Sequence, residues 1–262
     1  MTVAHPVDAV VERALAAQLG RRPVDATFIG VHDHDERLPD WSRAALAAAD
    51  DEMASDATAL AQALPAPAAD PALLDAALLD AALLGDALAL QRAELASAHG
   101  VRGNPALWTG EAIFSIVALV TRDFAPLGER IALARARLAA IPAFLAESRA
   151  TLADALPAPW VARARRECEG ATILLRAGVR RWASERLERE AADAARAFAD
   201  LGWWLGERPV AADSTMSCGA ELLDLLLARG HRCLRPRGEL LAEARARLLE
   251  ERARLDEMSG ER

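Results

Sequence analysis

The chain contains no tyrosine and only five phenylalanines and six tryptophans among 262 residues. Runs of valine, isoleucine, threonine and aromatics, the residues that suit a pleated strand, are correspondingly scarce. A sheet-based fold is therefore not expected. Cysteine is also sparse: Cys168, Cys218 and Cys233 form an odd set without a paired C-x-x-C spacing. That pattern supports neither a disulfide framework nor a structural zinc knot, and buried thiols are the simpler reading. No stretch approaches the roughly twenty uninterrupted apolar residues needed to cross a bilayer, so no membrane partner is expected. The opening Met1-Thr2-Val3-Ala4-His5-Pro6 lacks the basic region and apolar core of a secretory signal, which makes the cytoplasm the expected address. Basic residues are few beside acidic ones, 31 against 39, and are dispersed among them. With no basic stripe bearing interleaved aromatics, nucleic acid is not an expected partner.

What is present is alanine and leucine in quantity. Hydrophobic residues make up 53% of the chain and charged residues 27%, a balance that folds rather than one that stays disordered. Because alanine is the strongest helix former, the expected class is all-α. Val7, Val10, Val11, Ala14, Leu15 and Leu19 make an apolar stripe that Gly20 and Pro23 end. An ordered connector from Phe28 to Ser42 follows, and Ser42 is positioned to cap a helix whose inward side is Leu46, Met53, Leu60 and Leu64, stopped by Pro65 and Pro67. Between Ala72 and Leu84 an Ala/Leu/Asp text repeats with period five, which advances a helix by about 140° beyond one turn. Leucines then spread around the cylinder, and a central helix is expected. It is too short for a solenoid.

Farther on, His99 to Pro105 reads as a loop, followed by a helix through Trp108, Ile113, Ile116 and Val120. A longer helical stretch runs from about Glu129 to Leu156 with a bend expected near Pro142. Trp160 to Leu187 reads as helical with a break at Gly170 or Gly178, then Glu188 to Gly206, then Ala220 to Leu227 after Ser214 or Ser217, and last Glu239 to Met258. The Pro/Gly clusters fall at ordinary intervals between helices, so residues 1–262 are expected to form a single helical domain.

The histidines are His5, His32, His34, His99 and His231, and none is followed by glutamate. No H-E-x-x-H helix exists to set two imidazoles one turn apart around a zinc ion. No G-x-S-x-G elbow or cysteine-protease setting appears either, so no catalytic residue and no cofactor is expected. The densest group of potential ligands is His32-Asp33-His34-Asp35-Glu36. In an extended backbone His32 and His34 point to the same side, and Asp35 adds a carboxylate, so these three are the weak candidates for a metal site. Capping or solvating the turn before Ser42 explains them without a metal. Asp50-Asp51-Glu52 and Glu188-Arg189-Glu190 read as solvated helix faces. The arginines Arg163, Arg165, Arg166, Arg176, Arg180 and Arg181 are interrupted by Glu167, Glu169 and Glu185 and read as a charged exterior. The tryptophans suit helix junctions in the core.

Ala26-Thr27-Phe28-Ile29-Gly30, followed by Asp35-Glu36-Arg37-Leu38-Pro39-Asp40-Trp41-Ser42, resembles the opening A-T-x-x-G and next turn of the family described as domain of unknown function 885. Asn104-Pro105-Ala106-Leu107-Trp108, Ile141-Pro142-Ala143-Phe144-Leu145, Ala158-Pro159-Trp160 and Gly219-Ala220-Glu221 continue the likeness in order. The resemblance implies a multi-helix array like the amino-terminal helical part of a gluzincin-like zinc metallopeptidase. Members are usually longer, and their zinc-binding H-E-x-x-x-H-type segment lies beyond the matched region, so the resemblance is expected to cover the family's amino-terminal portion only. It carries no zinc ligand onto this chain. The expected function is a non-catalytic scaffold or binding protein, with the alternative of a split or divergent hydrolase. Zinc enters only through an unrecognised site or a partner chain supplying the missing carboxy-terminal half; self-association is the other expected partnership.

Overall fold

The computed structural model describes residues 5–64, 71–212 and 216–260, with the side chains of residues 71–75 and 184 outside that description. The fold is all-α and multi-helical; among the described residues the one extended pairing is an isolated bridge between Leu156 and Val210. Contacts divide the chain into two compact units, Met1–Ser217 and Cys218–Arg262.

Local chemistry explains where the helices of the first unit begin. Helix α1 (Pro6–Arg21) starts at a proline, with the His5 ring accepting from the Val7 N–H and the Asp8 carboxylate accepting from the His5 N–H. These contacts satisfy donors that the first turn leaves open. Arg22 breaks the chain into α2 (Pro23–Ile29), which ends at Gly30 with φ +89°, a left-handed conformation that glycine adopts without strain. The Ser42 hydroxyl accepts from the Ala45 N–H at 3.2 Å and starts α3 (Arg43–Ala63), as its position in the sequence predicts. Leu46, Met53 and Leu60 are its buried seam. Pro65 and Pro67, the expected stops, lie outside the described residues, as does Ser214.

Helix α4 (Pro71–Ala96) contains the period-five text. It buries Ala77, Ala81 and Leu88, while Leu78, Leu79 and Leu83 are about half exposed. The expected central position does not form. A helix with leucine on every side can turn its small residues inward, and here the alanines join Val7, Val10 and Leu60 in a minor core with α1 and α3.

The main core lies among α5 (Pro105–Thr121), α6 (Leu127–Thr151), α7 (Ala158–Ile173) and α9 (Glu188–Gly206). Its largest fully buried side chains include Trp108, Ile116, Leu138, Ile141, Leu145 and Phe198. Helix α6 carries Pro142 in its interior and ends at Thr151, short of the expected Leu156. Helix α7 passes into a π turn at Leu174–Gly178, the short α8 (Val179–Ala183) and a 3₁₀ turn at Ser184–Leu187. Of the two expected break points, the helix changes at Gly178, which closes the π turn, while Gly170 stays inside α7.

The second unit contains α10 (Gly219–Leu225), a π turn at Leu226–Gly230 and α11 (Arg237–Gly260). None of these helices buries a residue. No described helix is long and apolar enough to cross a membrane.

Candidate functional site

Between α2 and α3 the connector makes a tight turn over residues 33–36, closed by the Arg37 N–H to the His34 carbonyl at 3.1 Å. The turn parts the two histidines that an extended strand would have aligned. His32 Nδ1 lies 2.8 Å from Asp35 Oδ2, and its ring stacks on Phe124 with centroids 4.0 Å apart. His34 Nδ1 instead meets Arg37 Nη2 at 2.5 Å. Among the described residues no group of three or more His, Cys, Asp or Glu side chains is placed to hold a metal ion. The two histidines meet different partners, His32 the Asp35 carboxylate and His34 the Arg37 guanidinium.

Asp35 is buried, and what balances it is Arg137 of α6, also fully buried. The Thr27 hydroxyl stands between them. It donates to Asp35 Oδ1 at 2.5 Å and accepts from Arg137 Nη2 at 2.7 Å, while the two charges lie 3.9 Å apart. Arg137 also donates to the carbonyls of Ser115 at 2.8 Å, Arg37 at 3.2 Å and Pro23 at 3.3 Å. Burial lowers its pKa to about 10, against the raising influence of Asp35, Glu111 and Glu36, so it stays protonated at neutral pH. One guanidinium thus ties α2, the connector, α5 and α6 together. Glu111 on α5 belongs to the same electrostatic group: burial first, and the Asp25 charge second, push its carboxyl up to about 7 against the pull of Arg22 and Arg137.

Arg137 had no role in the sequence reading, although a signal existed. Arg130, Ala134, Arg137 and Ile141 follow helical spacing, and all four are buried. An arginine in register with an apolar stripe marks a buried charge that needs partners. Arg130 is the companion case: its guanidinium bonds the carbonyls of Leu119 and Arg122 at the end of α5 and Asp123 at 2.5 Å. There a cation complements the negative end of a helix.

The connector fixed by Arg137 forms one wall of a cavity of about 370 Å³. Leu46 and Met53 of α3, Leu95 of α4, Val101 and Trp41 give it an apolar lining. Trp41 packs edge-on to Trp108 with centroids 5.1 Å apart and tilted to Phe144 at 5.3 Å, so its ring rests on the main core. Arg21, Arg22, Arg37, Asp40 and Glu94 supply the charged lining. Arg21 pairs with Glu52, and Arg22 lies 3.5 Å from Glu94 and 3.3 Å from Asp25.

The remaining candidates sit as solvated faces do. Asp50 pairs with Arg92 at 2.7 Å, which holds its carboxyl below the usual range, and Glu188 meets Arg180 at 2.7 Å. Arg163 pairs with Glu167 at 2.8 Å one helical turn away. Cys168 is buried, and Cys218 and Cys233 are partly so; all three are free thiols.

A solved structure described as "a putative lipoprotein of unknown function from Shewanella oneidensis" matches this fold with a TM-score of 0.64 at 16% sequence identity. The match covers 76% of this chain and 37% of that one, so well over half of that protein has no counterpart in the match. Its description as a lipoprotein runs against the cytoplasmic address expected from the missing leader and the lack of a membrane-spanning stretch. No curated protein matches the chain. The sequence pattern of the family described as "Bacterial protein of unknown function (DUF885)" matches residues 23–261. This corrects the expectation that only an amino-terminal portion is shared: that reading followed from an absent zinc motif, whereas the matched residues run along nearly the whole chain. The chain belongs to the DUF885 family of bacterial proteins of unknown function.

Proposed function

We propose that the chain is a non-catalytic binding protein whose ligand site is the cavity beside Trp41. The observation that carries this reading is the cavity's construction: an apolar floor, of which Trp41 and Val101 pack against the main core, and a charged rim of three arginines and two acids. Pockets of a few hundred Å³ with this division bind small amphipathic molecules, the floor supplying affinity and the rim orientation. Anilinonaphthalene sulfonate, an apolar body with an anionic head, is the probe. Wild-type protein is expected to bind it saturably, and Ala49→Phe, which fills the cavity from α3, is expected to remove that component while melting at an unchanged temperature. Saturable binding that Ala49→Phe leaves intact would sink the assignment.

We assign no catalytic or metal-ligating role to His32, His34 or Asp35; Asp35 serves the buried arginine, and His32 serves Asp35. Zinc titration is the check, since a 1:1 complex lost in the variant His32→Ala/His34→Ala would reverse it. The second reading is a split or divergent hydrolase in a gluzincin-like array, completed by a partner chain or acting through an unrecognised site. Glu111 favours it, because a carboxyl that titrates near neutrality suits general acid–base work. Peptide cleavage by the purified chain that Glu111→Gln abolishes would establish that reading instead. The description of the similar solved protein as a lipoprotein supports an extracytoplasmic place of action, testable with a compartment-sensitive reporter fusion.

A further inference from the structure

Helix α11 is 24 residues long and buries none of them. Isolated helices draw little stability from propensity alone, and most of a protein helix's stability comes from packing one face. The sequence of α11 has such a face. Leu241, Leu248 and Leu255 recur every seven residues, with Ala244 and Met258 three residues after the first and the last, which are the a and d positions of a heptad. The three leucines and Met258 are 51%, 50%, 62% and 68% exposed.

The charges beside this seam identify what fits it. Arg245 and Arg252 occupy e positions, and Arg247 and Arg254 occupy g positions, so both flanks are cationic. Glu243, Glu250 and Glu257 fall at c, on the far side. Arg247 pairs with Glu243, and Arg254 with Glu251 at 2.8 Å; Arg245 and Arg252 make no ion pair among the described residues. A second copy of α11 would set arginine against arginine. In a parallel pair e faces g, and in an antiparallel pair e faces e and g faces g. On an anionic lipid surface the side turned to solvent would carry Glu243, Glu250 and Glu257, unlike the uniformly basic polar face of a membrane-surface helix. Glu251, at a d position, adds a polar residue that sets register.

We propose that this seam is the docking site for an amphipathic helix of another polypeptide, apolar along its own seam and acidic on both flanks. This surface is independent of the Trp41 cavity. The test uses the full chain and two labelled synthetic peptides of three heptads with leucine at a and d, one carrying glutamate and the other lysine at e and g. The glutamate peptide, which repels itself, is expected to bind and gain helicity on binding. It should bind at least about tenfold more tightly than the lysine peptide, because the flank arginines attract the one and repel the other. Leu248→Asp should remove binding of both peptides. Arg245→Glu/Arg252→Glu should reduce or invert the preference. Because these side chains are exposed, near-ultraviolet spectra and melting of the variants will match wild type. Equal binding of the two peptides, no binding of either, or unchanged binding by Leu248→Asp would each overturn the proposal. So would a wild-type dimer that Leu248→Asp converts to a monomer, or anionic-vesicle binding lost in the same variant.

Discussion

Replacing Arg137 by methionine keeps the length of the side chain's stem and removes its donors. Four acceptors then lose a partner inside the protein: the carbonyls of Pro23, Arg37 and Ser115 and the Thr27 hydroxyl. More costly, the buried Asp35 carboxylate loses the cation 3.9 Å away. Breaking a buried pair by removing one member costs about 3–5 kcal/mol, because the other charge is left uncompensated away from water. For a unit of this size each kcal/mol lowers the melting temperature by about 2–4 °C, so a fall of roughly 6–20 °C is expected. The assay is thermal unfolding followed by circular dichroism at pH 7, with urea titration to obtain the free energy. Adding Asp35→Asn to Arg137→Met tests the cause. The double variant should be less destabilised than the sum of the single ones by about 0.5–3 kcal/mol, the range for residues in one network. A single-variant loss below about 1 kcal/mol, or strict additivity, would refute the reasoning.

Glu111 sets a pH dependence. Its folded pKa of about 7 lies above the value of 4.5 it has when free, so its contribution to stability is full below about pH 4.5 and is lost as pH rises toward 7. The slope reaches at most about 1.4 kcal/mol per pH unit; Glu111→Gln should flatten it and leave the protein more stable than wild type at pH 8, and an unchanged pH profile would remove Glu111 from the argument. Gly103→Ala should destabilise by more than 1 kcal/mol, because the new Cβ would overlap the Ala98 carbonyl, which is backbone and cannot swing aside. A melting temperature within a degree of wild type would show that the loop has room to shift.

The sequence was legible where its signals are local. Ser42 caps α3 through the residue three ahead of it, and Leu46, Met53 and Leu60 face inward because sevenfold spacing leaves a helix one side to bury. Helix α4 was not legible in orientation, since period five places leucine on every face and only its neighbours decide which face turns in. The histidine pair misled for a related reason. Alternation brings His32 and His34 together in a strand, and the turn over residues 33–36 separates them. Arg137 was hidden because its acceptors lie between 22 and 114 residues away in the chain. The cavity was missed likewise: its lining comes from residues 18–22, 37–53 and 91–101, and no single stretch declares it.

The reach of the Arg137 guanidinium also bears on the order of assembly. Its acceptors on Pro23, Thr27 and Arg37 are at least a hundred residues distant along the chain, whereas Ser115 is far nearer. Contacts of long sequence separation carry the larger loop-closure cost and tend to form late. In a refolding experiment the α5–α6 hairpin is then expected to gain hydrogen-exchange protection first. Amides of residues 30–42 follow, and the cavity beside Trp41 exists only after that final closure.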